Sequence, residues 1–272
     1  MIPILSSDSY RGFSTNLLLS SATDAQPAFV GRLIWPDAVQ SEDAVFKLYK
    51  TDTCGIANEL IGYLLNKENR IAQPKLAAIV LLTPENLNGI SLDLADYTDS
   101  ASGMIACWTT SFEQETKPFK FARRLSTFTN RQIKAFYKSQ FCKGLSIVDH
   151  VTGNNDRHEG NFLYKDDLHY LAIDQGCVGG GLYWHKTWPD RNARNELLAL
   201  AHLELSTHEW KAWASETLVT HNNSSDQLRD YLQKMKAELA SVLDDDAQEL
   251  IVEYMSDRAT DATFATSCGR LI

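Results

Sequence analysis

Short apolar runs separated by turn residues mark the first third of the chain and predict strands. Two such runs, residues 28–34 and 44–49, lie on either side of Trp35-Pro36-Asp37, which is typical of a turn. Two more runs, at residues 76–82 and 103–108, predict further strands. This part of the chain is therefore expected to form a small sheet.

One helix interrupts this series of strands. Apolar side chains recur at helical spacing at Ile56, Leu60, Tyr63 and Leu64. Residues 58–65 are therefore predicted to form a short amphipathic helix. Glu59 lies on or beside the apolar stripe of that helix, and its carboxylate is expected to be paired because an unpaired buried charge is costly.

The pattern becomes helical after residues 116–118. Thr129 and Gln132 match a capping box. One helical face follows it, at Ile133, Phe136, Tyr137, Phe141 and Val148. Beyond this predicted helix, apolar runs at residues 162–164 and 168–173 flank a polar turn and predict a hairpin.

The chain from residue 191 to 257 is predicted to be helical again. Ser206 and Glu209 match a second capping box. An apolar stripe follows, which we interpret as core packing: Leu228, Tyr231, Leu232, Met235 and Leu239. Together these patterns predict an α+β fold with a small β-rich N-terminal lobe (residues 1–115) and a larger helical C-terminal lobe (residues 116–272).

Composition narrows the classes of protein that fit. The 272 residues are 44% hydrophobic, enough for a sizeable core, and the net charge of −9 argues against a broad nucleic-acid surface. The sequence has neither a signal-peptide pattern nor an apolar run of the ~18 residues that a membrane helix needs, so a cytoplasmic location is expected. The five scattered cysteines are expected to be reduced and mostly buried.

The polar segment Gly-Asn-Asn-Asp-Arg-His-Glu-Gly-Asn, residues 153–161, indicates a specific chemistry. Phosphoryl transfer needs a carboxylate that orients the attacking hydroxyl and oxygen ligands for Mg²⁺, and in kinases that Asp precedes a metal-binding Asn by five positions. Asp156 and Asn161 have this spacing. Asp174 follows the far strand of the predicted hairpin, so Asn161 and Asp174 are expected to be neighbours.

Each of these residues also has an ordinary structural interpretation when taken alone. Asn154 or Asn155 would form an Asx turn, and the aspartates would cap or turn the backbone. The combination of Asp156, Asn161 and Asp174 on one helix–loop–hairpin favours catalysis over that interpretation.

The segment GNNDRHEGN, followed by a hairpin and AIDQG, resembles the catalytic and metal-binding segments of HipA-type serine/threonine kinases. It is also similar to the DRHxxN loop of phosphatidylinositol 3- and 4-kinases. Residues 45–48, followed by Asn58-Glu59-Leu60, resemble the small-lobe pattern of short HipA-like proteins. The resemblance is confined to motifs spread over about residues 5–180, and the later residues match only in being helical.

The resemblance implies a two-lobed, protein-kinase-like fold and roles for several residues. Asp156 would be the base or orienting carboxylate, and Asn161 and Asp174 would hold Mg²⁺. His158 would be either structural or a stabiliser of transferred charge, and Arg157 would pack or pair within the loop. Asp precedes Arg and His here, and Asp-Gln-Gly stands in place of Asp-Phe-Gly, so the chain departs from eukaryotic protein kinases.

The predicted small lobe supplies candidate ATP-binding residues. Lys47, on an alternating strand, is expected to reach the phosphates and to pair with Glu59, with Lys50 as the rival lysine. The polar segment of residues 6–15 is expected to be a flexible loop over the phosphates, or else a disordered tail. Its candidate ATP contacts are Ser9, Gly12 and Ser14, and the resemblance makes the two serines candidate autophosphorylation sites.

These features predict an ATP- and Mg²⁺-dependent kinase. The first hypothesis is a HipA-like serine/threonine protein kinase with a protein substrate, in one version a toxin regulated by a small antitoxin partner. The alternatives are a lipid or small-metabolite kinase and an inactive kinase-fold binding module. Neither membrane binding nor direct nucleic-acid binding is expected.

Overall fold

The computed structural model describes residues 1–18, 26–120, 128–166 and 169–269. By their contacts, the residues form two compact units. Unit 1 contains Met1–Ile56 and Pro74–Gln114, and unit 2 contains Ala57–Gln73 and Glu115–Ile272. Residues 57–73 therefore group with unit 2, although they lie within the predicted N-terminal lobe.

Unit 1 is built on a six-stranded sheet with the order β1-β5-β6-β4-β3-β2. Its strands are β1 (Ile4–Leu5), β2 (Tyr10–Leu18), β3 (Ala28–Leu33), β4 (Glu42–Leu48), β5 (Ala77–Leu82) and β6 (Ile105–Ser111). Neighbouring strands are antiparallel, except that β1 and β5 are parallel. The four strands predicted from apolar runs are confirmed as β3 to β6.

One face of this sheet carries the core of unit 1. Along β4, Ala44, Phe46 and Leu48 are fully buried and alternate with partly buried residues that include Lys47. The ring of Phe46 stacks on Phe29 of β3, with centroids 5.0 Å apart. Because successive strand residues point to opposite faces, Lys47 points away from this core.

The N-terminal segment differs from the flexible loop predicted over residues 6–15. After a short 3-10 turn at Ser7–Ser9, the chain enters β2, which pairs with β3 at the edge of the sheet. Tyr10 is buried, and its ring meets Phe46 edge to face at 5.4 Å. This aromatic anchor holds a hydroxyl-rich segment in the sheet, which is why the polar composition misled the prediction.

Helix α1 (Gly55–Glu68) confirms the helix predicted at residues 58–65 and extends it at both ends. Its interior is buried on most sides, not only along one stripe. Glu59 is among the buried residues, with 2% of its surface exposed.

Unit 2 contains a three-stranded antiparallel sheet of β7 (Lys117–Pro118), β8 (Phe162–Asp166) and β9 (His169–Ala172). Strands β8 and β9 form the predicted hairpin, with Phe162 opposite Ala172. The hairpin turn at residues 167–168 lies outside the described residues.

Two helices stand where the sequence predicted one. Helix α2 (Asn130–Lys138) begins at the predicted capping box, in which Thr129 and Gln132 exchange hydrogen bonds. Ser139 then adopts an extended backbone with ψ 154°, and its side chain caps helix α3 (Gln140–Thr152). The apolar period continues across this break, so the hydrophobic pattern alone did not reveal it.

The C-terminal part of unit 2 is helical, as predicted. Its helices are α4 (Trp184–Thr187), α5 (Glu196–Glu204), α6 (Thr207–Leu239), α7 (Asp245–Arg258) and α8 (Asp261–Gly269). Helix α6 begins at the second predicted capping box, formed by Ser206 and Glu209. The predicted core stripe is buried at Leu228, Leu232, Met235 and Leu239, while Tyr231 is partly exposed.

The structure confirms the α+β class, with a sheet-rich N-terminal half and a helical C-terminal part. In the described part of the chain, no helix is long and apolar enough to cross a membrane. The five cysteines are free thiols, and all except Cys177 are buried.

Candidate functional site

Helix α3 leads directly into the polar loop of residues 153–161. Gly153 ends the helix with a left-handed φ of 66°, which glycine adopts without strain. A side chain would not fit here, because a Cβ atom would lie 2.0 Å from the hydroxyl oxygen of Tyr254. The loop therefore leaves the helix in one defined direction. Asp149 lies in the last turn of α3, just before the loop.

Arg157 of the loop and Asp149 of α3 form a completely buried ion pair. The guanidinium makes two parallel hydrogen bonds to the carboxylate, 2.9 Å from Nε and 2.8 Å from Nη2. Burial opposes the charge on Arg157, but the carboxylates of Asp149 first, then Asp174 and Glu59, together outweigh it, so the pKa of Arg157 is raised above its usual value. Arg157 is paired, which is one of its two expected roles, but its partner Asp149 lies on α3 and not in the loop.

The remaining donors of Arg157 bind the segment that follows the hairpin. Nη1 donates to the carbonyl of Ile173 at 2.9 Å, and Nη2 donates to Oε1 of Gln175 at 2.6 Å. The backbone N–H of Gln175 in turn donates to the carboxylate of Glu59 at 3.0 Å. One buried arginine thus connects α3, the polar loop and the turn around Asp174.

Asp156 is next to this arginine in sequence, but its side chain is exposed. Its backbone N–H donates to Oδ1 of Asn154 at 3.0 Å, which forms an Asx turn. Its carboxylate makes no hydrogen bond to another described residue. An exposed carboxylate on a fixed backbone is suited to accept a proton from a hydroxyl group.

The two predicted metal ligands lie at adjacent ends of the hairpin. The backbone N–H of Ile173 donates to the carbonyl of Asn161 at 3.0 Å, which places Asp174 next to Asn161. Oδ1 of Asn161 is buried and has no hydrogen-bond partner in the described part of the chain. Asp174 adopts φ 62°, an uncommon conformation outside glycine. A buried oxygen without a donor, beside a carboxylate on a strained turn, fits a pair of cation ligands.

Three aspartates, Asp149, Asp156 and Asp174, lie close enough to Cys177 to affect its thiol. Its thiol donates to Oδ1 of Asn155 at 2.9 Å. Burial raises the pKa of the thiol to about 11, and the charges of Asp156, Asp149 and Asp174 act in the same direction. A thiol with such a pKa is protonated at neutral pH, so Cys177 is not an activated nucleophile.

His158, the second predicted catalytic residue, has a structural contact. Its Nδ1 atom accepts the backbone N–H of Gly160 at 2.9 Å. A Cβ atom at Gly160 would lie 2.7 Å from the His158 ring, so a side chain there would displace the ring. Of the two roles considered for His158, the contact supports the structural one.

Asn58 binds the segment that follows Asp174. Its Nδ2 donates to the carbonyls of Gly176 and Gly181 at 2.7 and 2.9 Å. Its Oδ1 accepts the indole N–H of Trp184 at 2.8 Å. The side chain is fully buried, and its two donors and its acceptor are all used.

Sequence reasoning missed three residues that hold the loop together: Asn58, Asp149 and Gln175. The available signal was a polar side chain within an apolar run, as for Asp149 directly after Val148. The same argument identified Glu59, because a polar group on a buried helix face needs a partner.

Val178 and the three glycines that follow it form a tight turn, which is hydrogen-bonded to the end of α3. Gly179 donates its N–H to the carbonyl of Thr152 at 2.8 Å, and Gly180 donates to Gly153 at 3.2 Å. Both central glycines have positive φ angles, 62° and 84°. The segment therefore has the geometry of a closed turn.

The predicted phosphate-binding lysine lies in unit 1. Lys47 is on β4, with Ala28 of β3 and Trp108 of β6 as its partners in register. Lys50, the rival lysine, forms an exposed ion pair with Asp96 at 2.7 Å. The ion pair of Lys47 with Glu59 would join residues of different units and stays a prediction.

The three other predicted ATP contacts also lie in unit 1. Ser9 ends the short 3-10 turn, and its carbonyl accepts the N–H of Ile34 at 2.9 Å. Gly12 has a left-handed φ of 95° at an irregularity in β2. The hydroxyl of Ser14 donates to Asp43 at 2.6 Å. Their role toward ATP stays a prediction.

Unit 2 also has a cavity of about 410 Å³ that is lined mainly by α7 and α8. Asp156, Asn161 and Asp174 do not line it. Arg258 lines this cavity, but its guanidinium donates to backbone carbonyls, including that of His150 at 2.6 Å. We therefore base the candidate site on the chemistry of the loop and not on this cavity.

A scan against protein-family models and a search of curated proteins found no match for this chain. The resemblance to HipA-type kinases therefore rests on the motifs. In the described ranges, no group of three or more His, Cys, Asp or Glu residues could hold a metal ion. The candidate ligand pair consists of one asparagine and one aspartate.

Proposed function

We propose that this chain is an ATP- and Mg²⁺-dependent phosphotransferase with a kinase-like, two-lobed fold. The observation that carries the proposal is the organisation of the polar loop around Arg157. The buried arginine fixes a backbone that exposes Asp156 and brings Asn161 beside Asp174. A base at kinase spacing from one oxygen ligand, with a second oxygen ligand at the adjacent end of the hairpin, is what phosphoryl transfer requires.

Asp156 is proposed to orient the acceptor hydroxyl and to accept its proton. The hydroxyl oxygen then forms a bond to the γ-phosphorus of ATP, the bond from that phosphorus to the bridging oxygen breaks, and ADP leaves. The exposure of Asp156 supports this role, because the acceptor must reach the carboxylate. Arg157 acts through the backbone, as a positioning residue.

Asn161 and Asp174 are proposed to hold Mg²⁺. Asn161 contributes a buried oxygen that lacks a donor, and Asp174 contributes negative charge. Mg²⁺ prefers oxygen ligands and keeps several waters, so one or two protein ligands are sufficient. When bound, the ion supplies positive charge against the phosphate oxygens.

The position of Lys47 supports the same function. Among the five antiparallel strands β2 to β6, Lys47 lies on the third in chain order, and α1 with Glu59 follows it. Protein kinases place their phosphate-binding lysine on the third strand and its glutamate partner on the next helix. The order of elements therefore favours Lys47 over Lys50.

The acceptor is proposed to be a serine or threonine hydroxyl of a protein, as the resemblance to HipA-type kinases implies. A toxin role with a small antitoxin partner rests on that resemblance alone. A lipid or small-metabolite kinase is the runner-up, because the loop is also similar to that of phosphatidylinositol kinases. The third alternative, an inactive binding module, does not account for the exposed base or for the ligand pair.

The test is incubation with γ-labelled ATP, Mg²⁺ and a cell lysate, followed by phosphosite mapping. We expect label on protein serine or threonine. Asp156→Ala and Asp174→Ala should each lower transfer by about 10²–10⁴-fold, since each removes a group that acts in the transition state. Both variants should keep the wild-type circular dichroism spectrum.

Asp166→Ala is the matched control, because Asp166 is an exposed carboxylate at the other end of the same hairpin. It should keep near wild-type transfer. Label confined to lipids or small molecules would promote the runner-up. A folded wild-type protein that labels no fraction would overturn the proposal.

A further inference from the structure

A basic segment precedes the candidate loop in this acidic protein. Residues 117–148 contain eight Lys or Arg and no Asp or Glu. Several of these charges are neutralised within unit 2, as where Lys134 and Lys138 both pair with Glu209, at 3.0 and 2.7 Å. Lys120 is not among them: it forms no ion pair with any described carboxylate.

The strand register places Lys120 near the polar loop of residues 153–161. Strand β7 pairs antiparallel with β8, with Pro118 opposite Leu163. The chain beyond β7 therefore runs toward the beginning of β8, where the loop ends. The Cδ atom of Lys120 lies 3.7 Å from the position that a Cβ atom of Gly160 would occupy.

The approach of Cδ to Gly160 limits how far the ammonium group of Lys120 can lie from the loop. Nζ is two bonds beyond Cδ, so the positive charge lies within two bond lengths of the atom that approaches Gly160. Gly160 directly precedes the proposed metal ligand Asn161 and follows the proposed base Asp156 in the same loop. Lys120 is only partly exposed, so its stem packs against the loop while its charge stays available.

We infer that Lys120 is a further catalytic residue whose ammonium contacts the γ-phosphoryl group during transfer. The inference rests on the proposed function. In the loose transition state, charge spreads over the equatorial phosphoryl oxygens, and a fixed cation beside them lowers the barrier. Lys120 forms no covalent bond, and the acceptor proton still goes to Asp156, so no additional reactant is needed.

The experiment compares Lys120→Met, which keeps an apolar stem without the charge, with Lys120→Arg and with the control Lys117→Ala. Lys117 is an exposed lysine of the adjoining strand β7. We expect Lys120→Met to lower kcat by about 10²–10³-fold with little change in KM for ATP, as for loss of one transition-state donor. Lys120→Arg should recover most of the loss, and Lys117→Ala should resemble the wild type.

A second readout separates transition-state from ground-state binding. Calorimetry should show that Lys120→Met binds a Mg²⁺-loaded, non-hydrolysable ATP analogue normally. Mg·ADP with aluminium fluoride mimics the transferring phosphoryl group. The affinity of Lys120→Met for this complex should fall by about the same factor as kcat. Equal weakening of both complexes would contradict the inference, because it would indicate uniform nucleotide binding.

The outcomes also separate this inference from the proposed function. If the wild type transfers phosphate and Lys120→Met behaves as Lys117→Ala does, only the role of Lys120 is overturned. If the folded wild type transfers no phosphate to any acceptor, the proposed function and the role of Lys120 fall together.

Discussion

Asp149 and Asp156 lie on the same short stretch of chain in opposite environments. Asp149 is fully buried and shares two hydrogen bonds with Arg157, whereas Asp156 is exposed and makes no side-chain hydrogen bond to another described residue. The buried carboxylate holds the backbone, and the exposed one is left for chemistry. Residue type alone does not distinguish these two roles.

Arg157→Lys should destabilise the protein strongly although it keeps the charge. Lysine cannot make the two parallel bonds to Asp149 together with those to Ile173 and Gln175, so buried polar groups would lose partners. Disrupting a buried pair in this way typically costs about 3–5 kcal/mol. Urea unfolding followed by circular dichroism would measure the loss.

The matched control for this prediction is the exposed pair of Arg229 with Asp226 on α6. Arg229→Lys should change the free energy of unfolding by less than about 1 kcal/mol, because exposed pairs contribute little. Equal losses in the two variants would show that burial of the Arg157 pair has no special effect on stability.

At the scale of elements, α1 serves as a brace for the turn that carries Asp174. Two consecutive residues of the helix, Asn58 and Glu59, bind the segment of residues 175–184. On the other side, the glycine turn within that segment binds the end of α3. The proposed metal ligand is thus held from two helices.

Asn58→Ala should loosen this brace. It leaves the carbonyls of Gly176 and Gly181 and the indole of Trp184 without partners, and each unsatisfied buried group typically costs about 1–3 kcal/mol. We expect a lower unfolding midpoint in urea and a higher Mg²⁺ concentration for half-maximal transfer, because Asp174 would be less well positioned.

Asn69→Ala is the control within the same part of the chain. Asn69 donates only to the carbonyl of Leu65 near the end of α1. Its replacement should leave the Mg²⁺ dependence unchanged. An Asn58→Ala protein with the same Mg²⁺ dependence as the wild type would show that the brace does not influence the ligand pair.

At the scale of the whole molecule, stability should fall as the solution becomes acidic. His150 is buried against Phe264, and burial first, then Arg258 and His221, lower the pKa of its imidazole to about 3. The unfolded chain has an ordinary histidine pKa near ~6.5 and binds a proton more readily. The contribution of neutral His150 to the free energy of unfolding is therefore complete above about pH 6.5. It is lost as the pH falls toward 3, by up to ~1.4 kcal/mol per pH unit.

The comparison of two histidine variants isolates this effect. His150→Gln should flatten the dependence of unfolding free energy on pH between 4.5 and 6.5, because the titrating group is gone. His208→Gln, at an exposed position, should keep the wild-type slope. All three proteins have the same carboxylates, so parallel curves for the wild type and His150→Gln would contradict the assignment.

The sequence by itself determined the local structure of this protein. Apolar runs and capping residues identified strands β3 to β6, helix α1, the hairpin and the starts of α2 and α6, because these signals arise from neighbours in the chain. The spacing of Asp156 and Asn161 and the turn at Asp174 likewise identified the candidate chemistry. Its failures were the edge strand β2, which depends on Tyr10 packing against Phe46, and the helix break at Ser139.

Only the tertiary structure decided how the candidate site is held. The bond of Arg157 to Gln175, those of Asn58 to residues 176–184, and the approach of Lys120 to Gly160 all join different segments of the chain. Such contacts follow from packing and leave no periodic trace in the chain. Burial also distinguished the structural role of Asp149 from that of the exposed Asp156. The cost of an unpaired charge depends on its surroundings and not on the residue type.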